Sequence, residues 1–380
     1  MLFKIVKKFI FILLFTLSVC HAETIKLHGK TVISAPTTYQ NVDIDMTNGF
    51  FFVVNNASLT IQNSTIEGLI TPNNPILLNI DQGQLILKNT QVTVDTNRIQ
   101  PIPDDVPPYD LIFITQGNIQ LENNNFTINQ HFMAGLFATS DLLTNNFIIQ
   151  NNTITNFHGG FYLTNTKNAL LQNNTFTNTS LSNIFILNSS YARIRNNSIL
   201  FAGYNNNGDG IDVINSDDII LKNNYILADS CSSLAVVNSQ NILIDSNVIA
   251  DGITYGIILT SMSSLNNSNQ KLLLKLLHGT KINQANKNIF ITNNYLLQNR
   301  YGMKAIYVTG LTVENNFFVQ RFLSADGRQY WTNNDILLQQ VPGIVWDNNW
   351  YKEGFSQVDK GYNDQSLKFV VFPLHGGIVL

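Results

Sequence analysis

Ala169-Leu170-Leu171-Gln172-Asn173-Asn174-Thr175-Phe176 is the stretch that decides the fold. An apolar run enters two asparagines and a second alternating run leaves them. The same figure stands at Asn151-Asn152-Thr153-Ile154, Asn196-Asn197-Ser198-Ile199 and Asn223-Asn224-Tyr225-Ile226. It weakens to Ser246-Asn247-Val248-Ile249, then returns at Asn293-Asn294-Tyr295-Leu296 and Asn315-Asn316-Phe317-Phe318. From Asn152 onward, the second asparagine recurs after 22, 23, 27, 23, 47 and 22 residues. A fixed step of this size is the mark of a stacked repeat. Asparagine turns a chain readily, because it tolerates positive φ and bonds its own backbone. Three short strands with their turns fill about 22 residues at roughly 3.3 Å per strand residue. One repeat is therefore one coil of a parallel β-helix. Asparagines stacked about 4.8 Å apart can hydrogen-bond from coil to coil as a ladder.

Composition agrees with a solenoid. The chain has 380 residues, 44% hydrophobic but only 12% charged, about half the usual charged share. Asn, Thr, Ser and Gln supply the polar surface. The pattern predicts an all-β, right-handed parallel β-helix of roughly a dozen coils, with both ends covered, because an open end is an exposed sheet edge.

Residues 1–22 have the layout of a secretory signal peptide. Lys4, Lys7 and Lys8 precede the apolar run Phe9 to Val19, which is too short for a membrane span. Cys20-His21-Ala22 offers a cleavage site, and Leu17-Ser18-Val19-Cys20 offers a lipoprotein box as the alternative. Export to the periplasm, cell surface or medium is expected. Removing three leader lysines leaves 22 − 3 = 19 Lys+Arg against 25 Asp+Glu, a formal charge of −6. That balance argues against nucleic acid and anionic membranes as partners. Cys231 remains as the single cysteine, with no internal partner. The sequons at the asparagine pairs follow from the turn chemistry itself.

The expected organisation is one domain over 23–380, with regular coils about 145–320 and a C-terminal cap about 321–380. The proline-rich Arg98–Asp110 segment reads as a projecting loop. The step of 47 contains an insertion near 262–287. Within it Lys271-Leu272-Leu273-Leu274-Lys275-Leu276-Leu277 fits a short amphipathic helix, lying on the solenoid flank or closing over a groove. All three tryptophans, Trp331, Trp346 and Trp350, fall in the C-terminal stretch, as cover for the last coil or as a sugar-stacking platform.

Aligned on the asparagine pairs, the turn before the following strand carries His158, Asp229, Asp251 and Arg300. Asp209 joins them if Phe201 to Gly208 is an inserted loop. Asp209, Asp229 and Asp251 would then stack at one coil each, roughly 5 Å apart, where carboxylates raise one another's pKa and can share acid and base work. The alternative is plain turn chemistry at Asp209-Gly210 and Asp251-Gly252.

At these residues the chain resembles the pectin lyase-like right-handed β-helix superfamily, over most of residues 45–320. A finer likeness is to the polygalacturonase family of glycoside hydrolases. Asn207-Gly208-Asp209-Gly210-Ile211-Asp212-Val213 is similar to that family's Asn-Thr-Asp-Gly segment, and Ala228-Asp229-Ser230-Cys231 to its Gly-Asp-Asp-Cys segment. The resemblance implies Asp209 and Asp229 as an acid/base pair. The chain departs from the family at Ser230, where a second Asp is usual, and at Tyr255, where the Gly-His-Gly segment has His. Arg300-Tyr301-Gly302-Met303-Lys304 is a loose echo of Arg-Ile-Lys. The expected partner is a polysaccharide, either bound by a solenoid with a degenerate glycosidase-like site or acted on as hydrolase, lyase or epimerase. Catalytic candidates are Asp209, Asp229 and Asp251. Binding candidates are His158, Asp212, Tyr255, Arg300, Lys304, Trp346 and Trp350. No motif requires a cofactor or a metal, and nothing in the sequence fixes an oligomeric state.

Overall fold

The computed structural model describes residues 22–71, 74–96, 109–129, 134–139, 144–157, 159–179, 182–202, 209–228, 232–252, 254–262, 282–283, 285–299, 301–319, 322–323, 329–330 and 336–351. Thirty-three of its strands form one continuous sheet wound into a solenoid, and every pairing in it is parallel. Each regular coil contributes three strands. Using the coil around Asn224, the first face holds Ile211–Ile214, the second Asp217–Lys222 and the third Tyr225–Ala228. Each pairs with its counterpart one coil on, Leu234–Val237, Gln240–Asp245 and Val248–Ala250.

The asparagine pairs form the corner between second and third faces. The first member takes positive φ at Asn123, Asn151, Asn173, Asn196, Asn223, Asn293, Asn315 and Asn348, with Ser246 in the weak copy, and so do Asn41, Asn63 and Asn89 at the same corner, where Val42, Ser64 and Thr90 follow. The second member points inward and is buried. Asn224 Oδ1 accepts both the backbone N–H and the side-chain amide of Asn197, each at 3.0 Å. Asn224 Nδ2 donates to Ile194 O and to Asn247 Oδ1. The same linkage runs from Asn124 through Asn152, Asn174, Asn197, Asn247, Asn294 and Asn316 to Asn349. A buried amide is stable there because all its bonding capacity is used.

A second corner, between the first and second faces, carries a shorter ladder of hydroxyls. Ser189 Oγ accepts from Thr166 N–H, Ser216 Oγ from Ser189 N–H, and Ser239 Oγ from Ser216 N–H. Asn286 Oδ1 extends it. Between the corners the inward columns are apolar throughout. Ile184, Ile211, Leu234, Ile257 and Met303 stack in register and are fully buried. Each such side chain contributes about 1.5–3 kcal/mol by leaving water.

Three sequence boundaries change. Tyr109 and Asp110 lie in the strand Tyr109–Glu122 rather than in a projecting loop. Regular coils extend beyond 145–320: the described residues 22–71, 74–96 and 109–128 already wind in parallel register, and Ile336–Gln339, Val345–Asp347 and Trp350–Tyr351 add a coil where a cap was expected. The strand Asn286–Thr292 begins inside the expected 262–287 insertion. The leader 1–21, the amphipathic segment 271–277, Cys231 and residues 352–380 lie outside the described residues. The described ends of the insertion are anchored. Met262 and Ile282 pack on Leu187, Ile214 and Val237, which point outward from the first face, and Asn283 N–H donates to Asn215 Oδ1. Among the described residues, no helix is long and apolar enough to cross a membrane.

Candidate functional site

Register places the site residues. Ile211 is opposite Ile184 and Leu234, and Leu234 is opposite Ile257. Two residues earlier on each strand, Ser182, Asp209, Ser232 and Tyr255 therefore form one column, continued by Tyr301. One residue after the inward column, Tyr162, Phe185, Asp212, Ala235, Ile258 and Lys304 form the outward column beside it. This is the outer surface of the first face.

Of the expected stack, Asp209 and Asp251 do not share a column. Ser232 stands opposite Asp209, and Tyr255 stands one coil further on. Asp251 instead occupies an exposed positive-φ turn, where its N–H donates to Leu297 O. The reason is loop length. From the inner asparagine to the first inward residue of the next first-face strand is 10 residues at Asn224–Leu234 and at Asn247–Ile257, but 14 at Asn197–Ile211. The extra loop is four residues, too short to bring Asp251 level with Asp209. Asp229, His158 and Arg300 lie outside the described residues.

What the fold does bring together is a carboxyl pair. Asp209 lies close enough to Asp212 to lower its pKa by a side-chain contact, against the larger effect of burial. Ser182 Oγ donates to Asp212 Oδ2, and Ser232 N–H donates to Asp209 Oδ1 at 2.6 Å. Asp212 is 7% exposed. Burial raises its pKa, opposed by Asp209 and Ser182, so Asp212 holds its proton beyond the usual carboxyl range.

Tyr162 continues the acidic end. A Cβ on Gly159 would lie 2.5 Å from the Tyr162 hydroxyl, so the phenol folds over a position that only glycine leaves open. Burial, then the charges of Asp212 and Asp110, push the phenol upward and keep it protonated. Asp110 is 1% exposed, and neither of its oxygens has a hydrogen-bond partner among the described residues. Burial raises its pKa well above the usual value.

Toward the C-terminal end the surface becomes aromatic. Ser232 and Thr254 hydroxyls are 3.2 Å apart. Tyr255 and Tyr301 stack at 5.2 Å and 29°. Lys304 Nζ lies 5.1 Å from the Tyr255 ring centre. Asp209, Asp212, Tyr255 and Lys304 thus share one surface, about four coils or roughly 15 Å long. Trp346 and Trp350 are elsewhere. Trp346 lies opposite Val313 on the second face and stacks on Phe318, 6.1 Å away, against the end of the core. Trp350 is on the third face, opposite Phe317. Among the described residues, no group of three or more His, Cys, Asp or Glu could hold a metal.

Residues 82–204 match the family model for the right handed beta helix region. The chain is a right-handed parallel β-helix. Similar solved structures include the periplasmic alginate epimerase AlgG, at 14% identity over 86% of this chain and 84% of that one, TM-score 0.46. A PL6 alginate lyase in complex with a trisaccharide is 14% identical over 90% and 85%, TM-score 0.46. The Dettilon tailspike protein is 12% identical over 88% and 59%, TM-score 0.40. These likenesses are of fold alone. No curated protein matches the chain.

Ser182, Ser232, Tyr301, Tyr162 and Asp110 are absent from the sequence-based candidates. Tyr301 was within reach, because it follows Tyr255 by 46 residues, one long coil. Tyr162 and Asp110 carry no local motif, and their place depends on register across coils.

Proposed function

We propose that this chain binds an extended polysaccharide along the outer surface of the first face. One observation carries this reading: hydrogen-bonding carboxyls and hydroxyls at Asp209, Asp212, Ser232 and Thr254 run directly into the stacked Tyr255–Tyr301 pair and Lys304. Sugars present both kinds of surface, hydroxyls at their rims and C–H groups on their faces, and aromatic rings accept the latter. The coil axis sets the ligand direction, since the groups repeat along it rather than across it. Lys304 gives the aromatic end a cation, which favours a polymer bearing carboxylates. The export expected from the leader fits a ligand outside the cytoplasm.

A second reading is supported by the carboxyl pair. A protonated carboxyl beside a second carboxyl is an acid/base unit, and Tyr162 adds a protonated phenol beside it. Carboxyls in side-chain contact sit closer than the roughly 5 Å or wider pairs that flank the bond in glycoside hydrolysis. In this reading Asp209 and Asp212 move a proton on a bound sugar, as in elimination or epimerisation, in preference to acting as acid and nucleophile. Full-length protein, wild type beside Asp212→Asn, is screened for retention and for reducing or unsaturated products on polygalacturonate, alginate and neutral glycans. Retention with product lost in the variant supports both readings. Retention without product leaves the binding solenoid. No retention on any glycan overturns the proposal.

A further inference from the structure

The third face carries a second surface that the first-face site does not use. Its outward column runs Thr153, Thr175 and Ser198 through the middle coils. It then becomes Tyr225, Val248, Tyr295, Phe317 and Trp350, each opposite the next. Tyr225 is 42% exposed, Tyr295 53% and Trp350 40%. The aromatic part spans about 20 Å, four steps of the coil spacing. Tyr295 and Phe317 are 5.8 Å apart and tilted by 52°, so neither ring covers the other's face.

Strand propensity does not demand these rings. Threonine and serine occupy the same column in preceding coils, and the sheet continues there unbroken. The adjoining outward column, Leu227, Ala250, Leu297 and Val319, is small or aliphatic and uncharged. Along the other edge lies a row of exposed turn asparagines, Asn223, Asn293, Asn315 and Asn348. The surface is thus a narrow line of aromatic rings with an aliphatic margin, an amide margin and no charged side chain in either column.

We propose that this stripe binds a neutral polysaccharide lying along the solenoid axis. Ring faces receive the sugar C–H faces, and the amide row receives the hydroxyls. The absence of charge disfavours a polyuronate here, in contrast to the surface bearing Lys304. A protein partner would bury a broad apolar patch, whereas this one is one ring wide and bounded by amides on one side.

The test is affinity electrophoresis of the full chain in gels containing hydroxyethylcellulose, galactomannan or xyloglucan, with polygalacturonate as the charged counterpart. The proposal expects retardation by at least one neutral polymer. Tyr295→Ala and Trp350→Ala should each weaken it by roughly two- to tenfold, the scale of single aromatic contacts. The double variant should abolish it, and Tyr295→Phe should retain it. Thermal melts check that each variant is folded, and Tyr295→Phe against Tyr225→Ala gives the same contrast if an alanine variant is not. Wild-type protein unretarded by every neutral polymer overturns the stripe, as does a double variant retarded like wild type. A self-associated species that dissociates in the double variant assigns the stripe to a second copy and likewise overturns it. The first-face reading fails separately. Neutral-polymer retention lost in Tyr255→Ala but kept in the stripe double variant would move that ligand to the first face.

Discussion

Asp110 has the most to gain from losing its charge. Its carboxyl is buried without a hydrogen-bond partner among the described residues, and burial holds its folded pKa well above the model-compound 3.8. A raised carboxyl pKa means that the folded state binds the proton more tightly than the unfolded state. Stability is then full below about pH 4 and falls as pH rises from there toward the folded value. Asp110→Asn should stabilise the protein at pH 7 by on the order of 1–3 kcal/mol, the scale of an unsatisfied buried group, with little effect at pH 4. Melts of both proteins at the two pH values check this. Asp245 has the opposite sign. Burial raises its pKa, but hydrogen bonds from Lys222 at 2.7 Å and from Asn293 and Thr292 overcome it and hold the carboxyl at about 2. Its contribution is present above pH 3.8 and is lost as pH falls toward 2. Lys222 is half exposed, so the loss expected is about 1–2 kcal/mol. In Asp245→Asn that part of the acid-limb slope should disappear from a denaturation series between pH 4.5 and about 2.

At the scale of one coil, the two asparagines of a pair do different work and should fail differently. The Asn224 side chain accepts two hydrogen bonds and donates two, all in the interior. Asn224→Ala strands the partners on Asn197 and the carbonyl of Ile194, and should cost roughly 2–4 kcal/mol. Its neighbour Asn223 supplies a positive φ of 53°. Asn223→Gly should be near neutral, while Asn223→Val should be clearly destabilising, because a β-branched residue resists that conformation. Urea denaturation of the three variants tests the division of labour. These pairs were legible in the sequence because turn and ladder both demand asparagine. The hydroxyl ladder at Thr166, Ser189, Ser216 and Ser239 was not, although Asn188-Ser189, Asn215-Ser216 and Asn238-Ser239 repeat in the chain. Serine is common in any turn, so its recurrence carries less information. Asp251 leaves the expected acidic column for a related reason: offsets counted from the asparagine pair hold only while the loops after it keep one length.

For the whole molecule, stacking turns local sequence into long surfaces. Residues 20 to 50 apart in sequence become neighbours about 4.8 Å apart, so chemistry accumulates as columns along the axis. Asp209 and Asp212 are visible as a short motif, and Tyr255 and Lys304 as departures from one. Their union with Ser232, Tyr162 and Tyr301 exists only once the register is known. Two outer surfaces result, one acidic and aromatic with a cation, the other aromatic and uncharged. The anchored ends at Met262 and Ile282 border the first of them. The central claim is that this first surface holds a polysaccharide. Hydroxyl-radical footprinting of the full chain, with and without saturating polygalacturonate or alginate, tests it most directly. The account predicts that the glycan protects Tyr255 and Tyr301 from oxidation while exposed Tyr191, on another face, is unchanged. Tyr255 and Tyr301 oxidised equally with and without either glycan would contradict it.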